Sequence, residues 1–70
     1  MDGELDGRKR KNIKIDLYVS VVQKNDQRTG DLTDGVVKRI LTKSAQHPHG
    51  IKVMLDTGEV GRVKIIHIDD

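Results

Sequence analysis

From Ile13 to Val22 the chain reads IKIDLYVSVV, and apolar and polar residues alternate. Ile13, Ile15, Leu17, Val19 and Val21 fall on one side, with Lys14, Asp16, Tyr18 and Ser20 on the other. A two-residue period gathers such a set on one face of a β-strand, whereas a helix would scatter it around its circumference. A first strand is therefore expected over 13–22. Gln23 to Thr33 is polar and turn-rich: Asn25-Asp26 and Gly30-Asp31 supply turn chemistry, and Leu32 an apolar anchor. Gly35 then opens a second strand, Val36 to Thr42, whose apolar residues Val36, Val37, Ile40 and Leu41 do not alternate cleanly around Lys38 and Arg39. A bulge or strong bend reconciles this pattern with a strand. The spacing of Val36/Ile40 and Val37/Leu41 would also suit a short helix over 36–44, but the β-branched content and the adjoining glycine favour the strand.

Ile51 to Leu55 alternates again, with Ile51, Val53 and Leu55 inward and Lys52 and Met54 outward. Asp56-Thr57-Gly58-Glu59 is a compact turn into Val60–Ile68, so these two runs form a hairpin. In the last run Val60, Arg62, Lys64 and Ile66 share one face, and Gly61, Val63, Ile65 and His67 the other. Apolar residues on both faces at 63–66 point to a central strand or a barrel corner. Gly61 points to a bend or a close backbone approach. Between the second and third runs Pro48 and Gly50 punctuate a polar, shaped connection. The first twelve residues, MDGELDGRKRKN, are too polar to offset their ordering entropy and are expected to form a disordered tail, leaving 13–68 as one domain. The expected fold is all-β, a small antiparallel barrel of four to five strands, whose closure removes exposed sheet edges.

Composition narrows the chemistry. Among 70 residues there is no Cys, Phe or Trp, and Tyr18 is the lone aromatic. Disulfides and cysteine-based metal sites are excluded, and the core must come from Ile, Val and Leu. No apolar run approaches the roughly 18 residues that a membrane helix needs, and no signal-peptide pattern opens the chain, so a cytoplasmic monomer away from membranes is expected. No nucleophile has a base at a diagnostic spacing, and no Gly-rich loop leads from a strand into a helix. Neither an enzyme nor a bound cofactor is expected.

Charge adds a direction. The net charge is only +2, but all 13 Lys and Arg lie between Arg8 and Lys64 with six of the eleven acids, a local surplus of seven positive charges. A basic middle of this kind can bind a polyanion. Arg8, Lys9, Arg10 and Lys11 are a cluster suited either to gripping phosphate or to solubility. Lys38, Arg39, Lys43, Lys52, Arg62 and Lys64 come from consecutive strands and their edges, and some can converge as a basic strip. Arg28 offers a planar fork of donors matched to phosphate, or to a loop-fixing pair with Asp26 or Asp31. His47 and His49, two residues apart around Pro48, can reach one metal ion, but a catalytic zinc takes three protein ligands and the sequence does not bring His67 near. The alternative is that Pro48 shapes the loop and the histidines bond its backbone. No metal is expected.

The segments Asp26-Gln27-Arg28-Thr29-Gly30, Leu32-Thr33, Gly35-Val36-Val37, Ile40-Leu41-Thr42, His47-Pro48-His49-Gly50-Ile51-Lys52-Val53 and Val60-Gly61-Arg62-Val63 resemble the YwbE-like family of small uncharacterised proteins. The resemblance spans roughly Ile15 to Val63. It implies an SH3-like barrel, similar to the KOW-type barrels of ribosomal and transcription-associated proteins, and it brings no assigned activity. Two functions are carried forward. The first is a non-enzymatic module binding RNA or a ribonucleoprotein through Arg8, Lys9, Arg10, Lys11, Arg28, Lys38, Arg39, Lys43, Lys52 and Arg62, with His47 and His49 at the rim. The second is a protein–protein module that uses Asp26, Gln27, Arg28, Thr29 and Gly30 together with His47, Pro48, His49 and Gly50 as a shaped polar surface.

Overall fold

Four runs, three of them rich in β-branched residues, form the strands of the computed structural model, which describes residues 6–26 and 28–67. They are β1 (Tyr18–Gln23), β2 (Thr33–Ile40), β3 (Lys52–Leu55) and β4 (Val60–Ile66). Each pairs antiparallel with the next, and β4 returns to β1, closing a barrel in the order β1-β2-β3-β4. Val19, Val21, Val37, Ile51, Val53, Leu55 and Val63 fill its interior and are essentially inaccessible to solvent. Each such side chain contributes about 1.5–3 kcal/mol of burial, which lets a core without any large aromatic hold the fold. No helix among the described residues is long and apolar enough to cross a membrane.

The two strands with imperfect alternation each carry a bulge. In β2, Val37 faces Leu55 and Arg39 faces Met54, so Lys38 is an extra residue. In β4, Val63 faces Val21 and Ile65 faces Ser20, so Lys64 is extra. A bulge advances the side-chain phase by one, which allows Val63 and Ile66, three residues apart, to share the interior. Gly61 sits where β4 crosses β1: a Cβ there would lie 2.7 Å from both the Val21 Cγ2 and the Val22 carbonyl oxygen.

Several expectations are corrected. The second strand runs over Thr33–Ile40, with Gly35 inside it, rather than over Val36–Thr42. In the last strand Ile66, rather than Ile65, joins Val63 in the interior, and Leu32 is exposed rather than an anchor. The first strand begins at Tyr18, not Ile13. Asp16 takes a φ of 75°, and a turn in which the Leu17 N–H donates to the Lys14 carbonyl breaks the alternating run. Asp is one of the few residues that tolerate this left-handed conformation. Ile13 still reaches the core, but Ile15 is turned out to solvent. The expectation of a disordered tail does not hold for residues 6–12. Residues 1–5 lie outside the described residues, but 6–12 pack on the barrel. Gly7 and Arg8 accept backbone hydrogen bonds from Ile51 and His47, Lys9 bridges Gln46, and the Arg10 N–H donates to Ala45 before a 3₁₀ turn at Arg10–Asn12. Gly7 lies so close to β4 that a Cβ would stand 2.8 Å from Val63 Cγ1. Backbone pairing and the lack of a side chain at position 7, rather than apolar burial, hold this segment. Ile68, the last residue of the expected domain, is outside the described residues.

Candidate functional site

The β3–β4 hairpin sets the site. Its register places Lys52 directly opposite Arg62, and β1 places Val22 on the other side of Arg62. Both cations are on the outer surface because Val53 and Val63, their neighbours in the alternation, point inward. The bulge residue Lys64 is exposed next to them. Arg62 Nη1 donates to the Gly50 carbonyl at 3.1 Å and Lys64 Nζ to the His49 carbonyl at 3.3 Å, so both side chains are oriented by the loop that precedes β3.

That loop is a tight turn. The His49 N–H donates to His47 Nδ1 at 3.1 Å, the Gly50 N–H to the His47 carbonyl at 3.0 Å, and the His47 N–H to the Arg8 carbonyl at 2.9 Å. His47 Nδ1 is an acceptor here, so the neutral ring carries its proton on Nε2. Partial burial of the ring, then the nearby Arg62 and His49, push the His47 pKa below its ordinary value of 6.5. The DQRTG loop approaches from the other side. It follows the 3₁₀ turn Lys24–Asp26 and is closed by the Gly30 N–H donating to the Asp26 carbonyl at 2.8 Å, with Thr29 Oγ1 donating to the same carbonyl.

Two adjoining grooves result. One, of about 620 Å³, is lined by Val22, Gly30, His49, Arg62 and Lys64; the other, of about 490 Å³, by Val22, Lys24, Lys52, Val60, Gly61 and Arg62. They share Val22 and Arg62, and none of these lining residues is acidic. Both motif loops thus border one basic surface.

The residues that build it fall within a longer match. Residues 6–66 match the family described as an uncharacterized conserved protein (DUF2196). The chain belongs to this family. The match begins with the segment that packs on the barrel, ahead of the Ile15–Val63 span that the motifs suggested. An uncharacterized protein of Bacillus subtilis (strain 168), YwbE, is 55% identical over 58 residues, covering 83% of this chain and 89% of that relative. No solved structure matches the chain.

In this DUF2196 chain the expected basic residues divide into groups. Lys52 and Arg62 meet in the grooves, and Arg39, opposite Met54, lies on the neighbouring strand β2. Lys38 and Lys43 are exposed outside the linings of the grooves, as is Arg28 in the DQRTG loop, whose Gln27 is outside the described residues. The side chains of the Arg8–Lys11 cluster are engaged separately. Arg8 is forked onto Asp6, Nε to Oδ1 at 3.0 Å and Nη2 to Oδ2 at 3.1 Å, and these bonds hold the Asp6 pKa down at about 2. Arg10 Nε donates to the Thr42 carbonyl, while Lys9 and Lys11 remain exposed. Asp6, Arg8, Lys9, Gln46, His47 and Pro48 line a third cleft of about 320 Å³. Nothing in the sequence pattern marks Lys24 or Val22 as part of this surface. Only the closure of β4 onto β1 brings them to Arg62.

The third histidine stands elsewhere. His67 packs on Tyr18, ring centroids 5.0 Å apart, with Nε2 2.7 Å from Ser20 Oγ, which itself donates to Asp34 Oδ1. In a nucleophilic triad the imidazole lies between hydroxyl and carboxylate. Here the hydroxyl lies in the middle and Ser20 is 2% exposed, so the set ties β1 to the start of β2 and to the residue after β4. Among the described residues no three His, Cys, Asp or Glu side chains come together as a metal site.

Proposed function

We propose that this protein is a non-catalytic module that binds RNA, free or within a ribonucleoprotein, through the phosphate backbone. The contact surface is the pair of grooves around Arg62. One observation carries the reading. Lys52 and Arg62 are direct cross-strand partners, and like charges so placed destabilise a sheet. No acid among the groove-lining residues balances them, and Lys24 and Lys64 add to the charge. A polyanion lying along the grooves relieves this repulsion and releases its own counterions. Phosphate contacts require only oriented cations, which the Gly50 and His49 carbonyls provide by fixing Arg62 and Lys64.

The test is fluorescence anisotropy with a labelled RNA hairpin that has an unpaired loop. If four cations each neutralise one phosphate, the log–log salt slope is about −3. Lys52→Glu/Arg62→Glu should abolish binding while far-UV circular dichroism shows the fold retained. Lys11→Glu/Lys38→Glu, the same charge change on exposed residues outside the grooves, should bind within about threefold of wild type at matched salt. Absence of binding at low salt, or equal loss in both double variants, would contradict the reading. The meeting of the DQRTG and HPHG loops at one groove also suits a protein partner. Recovery from lysate of a complex that survives nuclease and high salt would favour that second reading.

A further inference from the structure

The two grooves that share Arg62 differ in chemistry. The one lined by Lys24, Lys52, Val60 and Gly61 offers cations on an open surface, which is all that a phosphate needs. The one between the motif loops is larger, and its volume of about 620 Å³ falls among small-ligand clefts, which span about 300–1,000 Å³. It combines an apolar floor, Val22, with an imidazole, His49, on one rim and a glycine, Gly30, on the other, and places Arg62 and Lys64 along its wall.

We infer that the groove between the two motif loops seats one unpaired nucleotide of an RNA strand, its phosphate on Arg62 and Lys64 and its base over Val22 against His49. This rests on the RNA reading above and sharpens it. Unpaired bases are recognised by stacking on aromatic, histidine or guanidinium planes, whereas an A-form duplex offers side chains mainly phosphates and 2′-hydroxyls. The sole Phe, Trp or Tyr of the chain, Tyr18, packs at a tilt against His67 and does not line this groove, so His49 and Arg62 supply the planes here. His49 is exposed, and its backbone is fixed by the bond from its N–H to His47 Nδ1. Its ring lies 5.8 Å from that of His47, tilted by 47°, so the ring is presented from a formed loop. Among the described residues Arg62 spends one N–H on Gly50 and Lys64 one on His49, and the remaining donors of each head group can bond a phosphate. At the Gly30 rim a Cβ would meet no atom of the described residues within 4 Å, which leaves room there for the strand to enter. The adjoining groove, reached across Arg62, continues the backbone path toward Lys52 and Lys24.

The experiment uses the full chain, at low salt and across a salt series, with four probes: a single-stranded RNA octamer, a blunt RNA duplex, a nucleoside 5′-monophosphate and inorganic phosphate. The octamer should bind about tenfold more tightly than the duplex, the size of one base stack. It should shift the amide resonances of Gly30, His49 and Lys64. His49→Ala should weaken octamer binding about tenfold with the salt slope unchanged, and leave duplex binding unaffected; His49→Phe should restore it. Equal affinity for octamer and duplex, or an octamer indifferent to His49→Ala, would overturn the nucleotide seat while leaving RNA binding in place. Monophosphate binding at Gly30 and His49 as tight as that of the octamer would assign a free nucleotide and overturn the strand. No binding by any RNA would remove the underlying reading itself.

Discussion

Gly50→Ala tests whether the HPHG loop is fixed by backbone geometry. Gly50 has a φ of 104°, outside the range that L-residues adopt readily, at a cost of roughly 1–2 kcal/mol for a side chain. A Cβ on Gly50 would also overlap the Val63 carbonyl oxygen. That atom belongs to β4, so the loop rather than the strand must shift. The shift threatens the Ile51 N–H bond to Gly7 at 3.0 Å and the Val63 N–H bond to Ile51 at 2.9 Å, worth about 1 kcal/mol each. The sum is about 3–4 kcal/mol, a large part of the roughly 4–10 kcal/mol expected for a domain of this length. Gly58 is the control. Its φ of 95° is similar, but a Cβ there meets nothing within 4 Å, so Gly58→Ala should cost only about 1–2 kcal/mol. Urea titration followed by far-UV circular dichroism reads both. With an m-value near 1 kcal/mol per molar, Gly50→Ala should lower the midpoint by about 3–4 M and Gly58→Ala by about 1–2 M. Equal midpoints for the two variants would refute the steric argument and leave only the shared backbone cost.

Arg62→Gln removes the cation common to both grooves, so the log–log salt slope for RNA should shrink by about 0.7 in the anisotropy titration. An unchanged slope would place the phosphates elsewhere. His47 has a lowered pKa in the folded state, so between that value and 6.5 the unfolded chain binds the extra proton. Stability should therefore be full above 6.5 and fall as the pH drops below it, and His47→Gln should flatten that part of the curve in denaturation at a series of pH values. Leu55, fully buried against Gly35, should cost about 2–5 kcal/mol on replacement by Ala, read as a lowered thermal midpoint.

Much of the barrel is legible where one face of a strand is dry. Val53 and Leu55 alternate with Lys52, the Asp56–Glu59 turn follows, and the hairpin register then falls into place. The broken alternation at Val36–Leu41 also carries information, because it marks the bulge at Lys38. The start of β1 misleads for a physical reason: Ile13, Ile15 and Leu17 keep a strand's period, but the left-handed Asp16 turns the chain. The segment 6–12 escapes a hydropathy reading altogether, since its attachment is backbone hydrogen bonding and the close approach of Gly7. The site divides in the same way. Lys52 and Arg62 are visible as outward residues of a local hairpin. The groove they border is not, because Val22 and Lys24 reach Arg62 only through pairing between strands distant in sequence. The apparent unity of Arg8–Lys11 fails through Asp6, whose carboxylate claims Arg8.

The most direct test of the RNA-binding surface is a map of backbone amide shifts as the hairpin RNA is titrated into the full chain at low salt. The largest changes should cluster at Lys24, Gly30, His49, Lys52, Arg62 and Lys64, which line the two grooves. Tyr18, Asp34 and Val36, on the β1–β2 surface, should stay still. A map centred on Tyr18 and Asp34, or no shifts at all at millimolar RNA, would contradict the account.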